Sequence, residues 1–177
     1  MAYTGPERKA MRAQGFDYRE PGPYYVTICT EYRVHRFGVV IDGVMRLNEP
    51  GEMVHATWNA IAHAFPGVTL DAFVVMPNHV HGLLTLLVPD GPTLDGCASL
   101  SDVVGWFKTE TTNRYIRGVK RLGWEPFEGK LWQRGFHDEI VRTERGVERV
   151  RRYIAANPAD WPEDPEREPI GSRKPIV

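Results

Sequence analysis

The stretch "VTLDAFVVMPNHVHGLLTLLV", residues 68–88, decides the fold. Two β-branched and apolar runs flank Pro77 and Asn78, residues that favour a tight turn, so the segment predicts two strands, 68–76 and 79–88. The second strand opens on His79-Val80-His81. Side chains two apart on a strand project from one face, so the two imidazoles converge on one point. Burying them without partners would leave costly unsatisfied nitrogens, and a divalent cation is one good partner.

Working outward, "PYYVTICT" (23–30) is β-branched and aromatic and reads as the first strand, and "FGVVIDGVMRL" (37–47) carries an Asp-Gly turn expected of a small hairpin. In 49–65, Met53, Val54, Trp58, Ile61 and Phe65 recur at helical spacing, with Pro66 and Gly67 as the stop. The loop 89–99 leads to a helix over 100–116, capped by Ser101, with Val103, Val104, Phe107 and Tyr115 on its apolar face. A long irregular connection is expected over 117–136, then a strand at 137–142. A last helix over 144–157 carries Val147, Val150 and Ile154 on one stripe and stops at Pro158. Apart from the hairpin, the order is β-α-β-β-α-β plus a helix. That predicts an α+β, ferredoxin-like (βαββαβ) antiparallel sheet with helices packed on one face. The first and third long strands are then central neighbours, which puts His79 and His81 in the middle of the sheet.

The 177 residues, 42% hydrophobic and 25% charged, fit one soluble globular domain. The expected division is a basic N-terminal arm (1–22), a single domain (23–161) and a tail rich in Pro and charge (162–177), read as disordered. No apolar run reaches membrane-spanning length and the start has no apolar signal segment, so the expected location is the cytoplasm. Cys29 and Cys97, at unrelated positions, give neither a disulfide framework nor a thiolate metal site. The net charge of -1 hides an uneven distribution: residues 106–152 hold 12 Lys or Arg against 7 Asp or Glu. A local basic surface on a neutral protein is enough to hold a phosphate backbone.

Tyr153 and Asn157, four residues apart in "RRYIAANPADW", share a face of the last helix. Tyr153 falls at the edge of the apolar stripe rather than within it.

These residues resemble the single-tyrosine HUH transposases, in particular the REP-associated tyrosine transposase branch. The resemblance is carried by His79-Val80-His81 within "MPNHVHGLL" and by "YIAANP", and less specifically by "YYVTICT", "WFKTETTNRY" and "LWQRGFHDEIVR". It implies metal-dependent cleavage and joining of single-stranded or hairpin DNA through a 5′-phosphotyrosine. Tyr153 would be the nucleophile, His79, His81 and Asn157 the ligands, and Mg²⁺ or Mn²⁺ the ion. Several relatives have Gln at the third position; Asn is one methylene shorter, so the helix must sit closer or a water must intervene. Lys108, Arg114, Lys120, Arg121 and Arg134 are the expected phosphate contacts, with Trp124 or Trp132 as base-stacking platforms. His137 is a strand residue beside them in sequence. The last helix follows its strand after almost no linker, which predicts a tyrosine acting in its own subunit and a monomer or weak homodimer.

Two other readings start from the same residues. A histidine-triad nucleotide hydrolase needs a third histidine in register, where this chain has Leu83. A non-cutting DNA-binding protein on the same fold would have no need of the tyrosine.

Overall fold

The structure, a computed structural model, describes residues 19–87 and 98–168. In chain order its elements are β1 (Gly22–Cys29), β2 (Gly38–Ile41), β3 (Val44–Leu47), α1 (Glu49–Asn59), α2 (Ile61–Ala64), β4 (Val68–Val75), β5 (His79–Leu86), α3 (Leu100–Leu122), β6 (His137–Ile140) and α4 (Glu144–Ala156). The main sheet has the order β4-β5-β1-β6 with every pair antiparallel. This is the strand order of the split βαβ arrangement, and β1 and β5 are its central pair. The hairpin β2–β3 stands apart from it, turned at Asp42 and Gly43, both at the positive φ that a tight two-residue turn requires.

Residues 24–29 of β1 are all buried, as in a strand covered on both faces. Val26, Ile28, Val80 and Leu84 pack with Trp58 of α1 and Val103, Val104 and Phe107 of α3. The alternate side chains Tyr25 and Leu83 pack with Val150 and Ile154 of α4. Helices α1 and α3 therefore share one face, as expected, and α4 covers the other, over β4 and β5.

Several local expectations are corrected. The cap of α3 is Ser99, not Ser101: its hydroxyl accepts from the Asp102 backbone N–H while the Asp102 carboxylate accepts from the Ser99 N–H, a capping box. The same helix continues to Leu122 and ends on Gly123 at φ 71, so Lys120 and Arg121 belong to its last turn and not to a loop. The tail is not unstructured from 162 onward. Trp161 is buried and starts a short 3-10 turn, and residues 164–168 follow along the body. The arm 1–18, the segment 88–97 with Cys97, and the tail 169–177 lie outside the described residues.

Gly82 in β5 is required by close approach. A Cβ there would lie 2.3 Å from ring atoms of Trp58, which stacks on Phe73 with centroids 4.4 Å apart. Gly82→Ala therefore forces the indole out of its layer and is expected to cost about 1–3 kcal/mol. In a thermal melt that lowers Tm by roughly 2–4 °C per kcal/mol for a domain of this size. An unchanged Tm would contradict this packing.

Candidate active site

The register of β5 on β1 sets the site. His81 stands opposite Thr27 and His79 opposite Cys29, and both imidazoles lie on the α4 side, buried. Their Nε2 atoms are 3.0 Å apart. The outer nitrogens decide what that short distance means. Asn78 Nδ2 donates to the carbonyls of Arg33 (3.0 Å) and Glu166 (2.7 Å), which fixes the amide with Oδ1 toward His79 Nδ1, 2.8 Å away. His79 must therefore donate from Nδ1 and keep a lone pair on Nε2. The Nδ1 of His81 lies 2.8 Å from the Tyr25 hydroxyl and 2.9 Å from Thr27 Oγ1. Either hydroxyl can donate or accept, so His81 is free to direct a proton or a lone pair into the site.

A third group comes from the tail. Asp164 Oδ2 lies 3.7 Å from His79 Nε2, its side chain almost fully buried, and it has no hydrogen-bond partner. Burial pushes the Asp164 carboxyl above the usual carboxylate range. Burial also holds His79 well below its ordinary pKa and His81 at about 3. With both imidazoles neutral at pH 7, His79 and Asp164 do not form an ion pair; a nitrogen lone pair faces a carboxyl oxygen across a gap. The Asn157 side chain acts on both His79 and Asp164, yet its buried Oδ1 also lacks a partner. His79, His81 and Asp164 offer three ligand atoms within 4.8 Å of one another. Two imidazole nitrogens and one carboxylate oxygen, with an orphaned amide oxygen beside them, form a donor set that could hold a divalent cation.

Tyr153 reaches this centre from α4. Thr143 caps the helix by accepting from the Gly146 N–H at 3.0 Å. Its far edge is clamped by Arg151, whose guanidinium donates to both Asp71 oxygens at 2.7–3.1 Å. Asp71 sits in the irregularity of β4 between Leu70 and Phe73, where the extra residues turn a carboxylate toward the helix. The Arg151 guanidinium in turn holds the Asp71 carboxyl below its ordinary range. The half-buried Tyr153 ring packs edge-on against His81, centroids 5.4 Å apart, and against Tyr25 at 6.1 Å. Tyr153 also hydrogen-bonds to Tyr25, and burial raises the Tyr25 phenol far above its ordinary pKa, so it stays neutral.

The other sequence candidates fall elsewhere. Lys108 donates to the carbonyls of Gln133, Arg134 and Gly135, at 2.7–3.4 Å, and anchors that loop. Arg114 pairs with Glu110 at 2.7 Å. Lys120, Arg121 and Arg134 are exposed; all of α3 lies on the layer across the sheet from the histidines. Trp132 is a core residue, not an open stacking platform: it is 4% exposed, and its indole donates to Thr111 Oγ1 at 2.8 Å. Trp124 folds over Gly118 and donates to Glu49. His137 pairs with Thr27 across β1 and faces the same side as His81, whose protonation it opposes. Leu83, the position a third histidine would occupy, is buried under α4. Sequence reasoning missed Asp164, hidden in "WPEDPEREP"; the signal for it was Trp161, an aromatic anchor unlikely in a solvated tail.

Two outcomes follow for the metal-free protein. The folded pKa of each histidine lies below its unfolded value near 6.5, so the unfolded chain binds more protons between the two values. Stability is complete above about pH 6.5 and drains as pH falls, by about 1.4 kcal/mol per pH unit for each histidine. Asp164, with its raised pKa, opposes part of this loss in the acid range. Urea titrations at pH 7 and 5 are expected to show a lower midpoint at pH 5, and equal midpoints would contradict neutral buried imidazoles. Separately, Asn78→Ala removes the group that fixes the His79 tautomer. It is expected to weaken Mn²⁺ binding, measured calorimetrically, roughly 10–100-fold.

The chain is 30% identical over 171 residues to an uncharacterized protein of Haemophilus influenzae, covering 89% of this chain and 91% of that one. Among solved structures, a REP-associated tyrosine transposase bound to a REP hairpin superposes with a TM-score of 0.54 at 17% identity, over 89% of this chain and 74% of the other. A transposase-like structure from Deinococcus radiodurans gives a TM-score of 0.47 at 23% identity, over 82% and 96%. Among the described residues no helix is long and apolar enough to cross a membrane. The family model for IS200-like transposases matches residues 24–157, from the first core strand to the asparagine that ends the tyrosine helix, and this chain belongs to that family.

Proposed function

We propose that the protein cleaves and rejoins single-stranded DNA at a hairpin or repeat, with Tyr153 as nucleophile. The observation that carries this reading is the Tyr153 ring lying against His81 within one chain, beside unpartnered oxygens of Asp164 and Asn157. His79 and His81 present neutral Nε2 atoms, Asp164 adds a carboxylate, and Asn157, whose side chain acts on both His79 and Asp164, could add its amide oxygen. A divalent cation held by these groups, Mg²⁺ or Mn²⁺, would supply Lewis-acid polarisation of the scissile phosphate.

The residues of the chain do the rest. Tyr25 hydrogen-bonds to Tyr153 and orients the phenol, while the Asp71–Arg151 clamp keeps α4 from sliding on the sheet. The Tyr153 oxygen forms a bond to phosphorus as the bond to the 3′ oxygen breaks; the phenol proton leaves to water and the 3′ oxygen takes one up. The product is a 5′-phosphotyrosine with a free 3′-hydroxyl. Because the phosphodiester energy is kept in that covalent link, another 3′-hydroxyl can reverse the step and join strands without ATP. A tyrosine that reaches the histidines of its own chain supports a monomer or weak homodimer acting on DNA in the cytoplasm.

The test is a denaturing gel of protein mixed with labelled single-stranded hairpin DNA and Mg²⁺ or Mn²⁺. A slow-migrating covalent adduct is expected, abolished in Tyr153→Phe and by chelator, and strongly reduced in His81→Ala. Hydrolysis of DNA with no adduct would overturn the tyrosine mechanism.

A further inference from the structure

Residues 145, 149 and 152 of α4 are spaced i, i+4 and i+7 and so lie on one line along the helix. All three are arginines, all are exposed, and none has a hydrogen-bond or ion-pair partner among the described residues. Their neighbours differ. Arg142 donates to Glu20 at 2.9 Å, and Arg151 is held by Asp71 with Glu148 beside it. The unpartnered line borders the edge of the helix that carries Tyr153 and Asn157, whereas Arg151 lies on the opposite edge toward β4, with Glu148, four residues before Arg152, between the two. Together with Thr143 and Gly146 the three arginines line a shallow depression at the head of α4.

We propose that Arg145, Arg149 and Arg152 form a track for the sugar-phosphate backbone of a single DNA strand, guiding the scissile phosphate to Tyr153. Seven residues of helix span about 10 Å. Guanidiniums set about a turn apart along that length can meet successive phosphates of one extended strand. Guanidinium groups suit this role because each can present two parallel donors to a phosphate. The strand would run along the solvent side of α4 and end where the phenol emerges, since Arg149 stands four residues before Tyr153, one helical turn away. None of the basic residues on α3 can take this part, because the sheet stands between them and the tyrosine. The proposal rests on Tyr153 as the reacting residue, yet its test is one of binding alone.

The experiment measures the affinity of Tyr153→Phe protein for an unstructured single-stranded DNA oligonucleotide between 50 and 200 mM salt, with and without R145A/R149A/R152A. Losing three phosphate contacts is expected to flatten the plot of log affinity against log salt by about 2 units. Over that salt range the parent should then lose about 20-fold more affinity than the variant. A control, R46A/R117A/K130A, removes three exposed charges from the hairpin and the far layer and should leave the slope unchanged. An unaltered slope in the α4 variant, or an equal change in the control, would overturn the track. A parent protein with Tyr153 restored that forms no DNA adduct, while the α4 variant still shows the flattened slope, would sink the tyrosine reading and leave the track standing.

Discussion

The pairing of β5 with β1 is the constraint from which the site descends. With Thr27 opposite His81, one row of side chains across the sheet becomes Val74, His81, Thr27 and His137, all on the α4 face. A slip of one residue would turn both imidazoles into the apolar layer under α1 and α3, where Trp58 and Phe107 leave no room or partner for them. Register here is over-determined. Gly82 must meet Trp58, Leu83 must meet α4, and the turn at Pro77 and Asn78 is tied down where Arg36 and Phe37 donate to the Pro77 carbonyl. Chemistry at the head of β5 is thus fixed by packing along its length.

Much of this was legible in the chain. The β-branched and aromatic residues of "YYVTICT" and the apolar run of "HVHGLLTLL" gave the central strands, and their order gave the sheet. The spacing of Tyr153 and Asn157 gave the edge of α4 that meets it. What stayed hidden depends on partners remote in sequence. A lysine that anchors a loop and a lysine that binds phosphate look alike until Lys108 is seen among three carbonyls. A tryptophan in a basic loop looks like a stacking platform until Trp132 is found beneath Phe37 and Phe107. Composition misled most at the tail. Proline and charge discourage a packed core, but they do not prevent a segment from lying along one that already exists. Trp161 on His35 and His79, and Asn78 on the Glu166 carbonyl, hold residues 161–167 in place.

That ordered tail would ease the difficulty posed by the short asparagine. A ligand set of two histidines and Asn157 would bring no negative charge to a dication, and the amide lacks the reach of a glutamine. Asp164 brings a carboxyl oxygen to 3.7 Å from His79 Nε2, so the asparagine would not need to be the third strong ligand. The charge balance is then favourable for a phosphodiester. Neutral imidazoles and one carboxylate would leave a bound dication with net positive charge, which attracts an anionic substrate more than a site with two carboxylates would. Burial keeps the imidazoles neutral, so the same desolvation that weakens the metal-free fold in acid prepares its ligands.

The helix α4 shows why the tyrosine cannot lie in the middle of an apolar stripe. At 3.6 residues per turn, successive side chains step about 100° around the axis, and each sector of this helix has a separate task. Val150 and Ile154 bury one sector against Tyr25 and Leu83. Arg151 takes the sector toward β4 and fixes rotation about the axis through two parallel contacts, Nε to Asp71 Oδ1 and Nη2 to Asp71 Oδ2. Arg145, Arg149 and Arg152 face solvent. The remaining sector, between the buried stripe and the arginines, is the one from which a half-exposed side chain meets His81. Tyr153 and Asn157 occupy it. A tyrosine placed one position later would be sealed in the core, and one placed earlier would project into water away from His81; an error of about 100° in either direction abolishes the site without changing the fold.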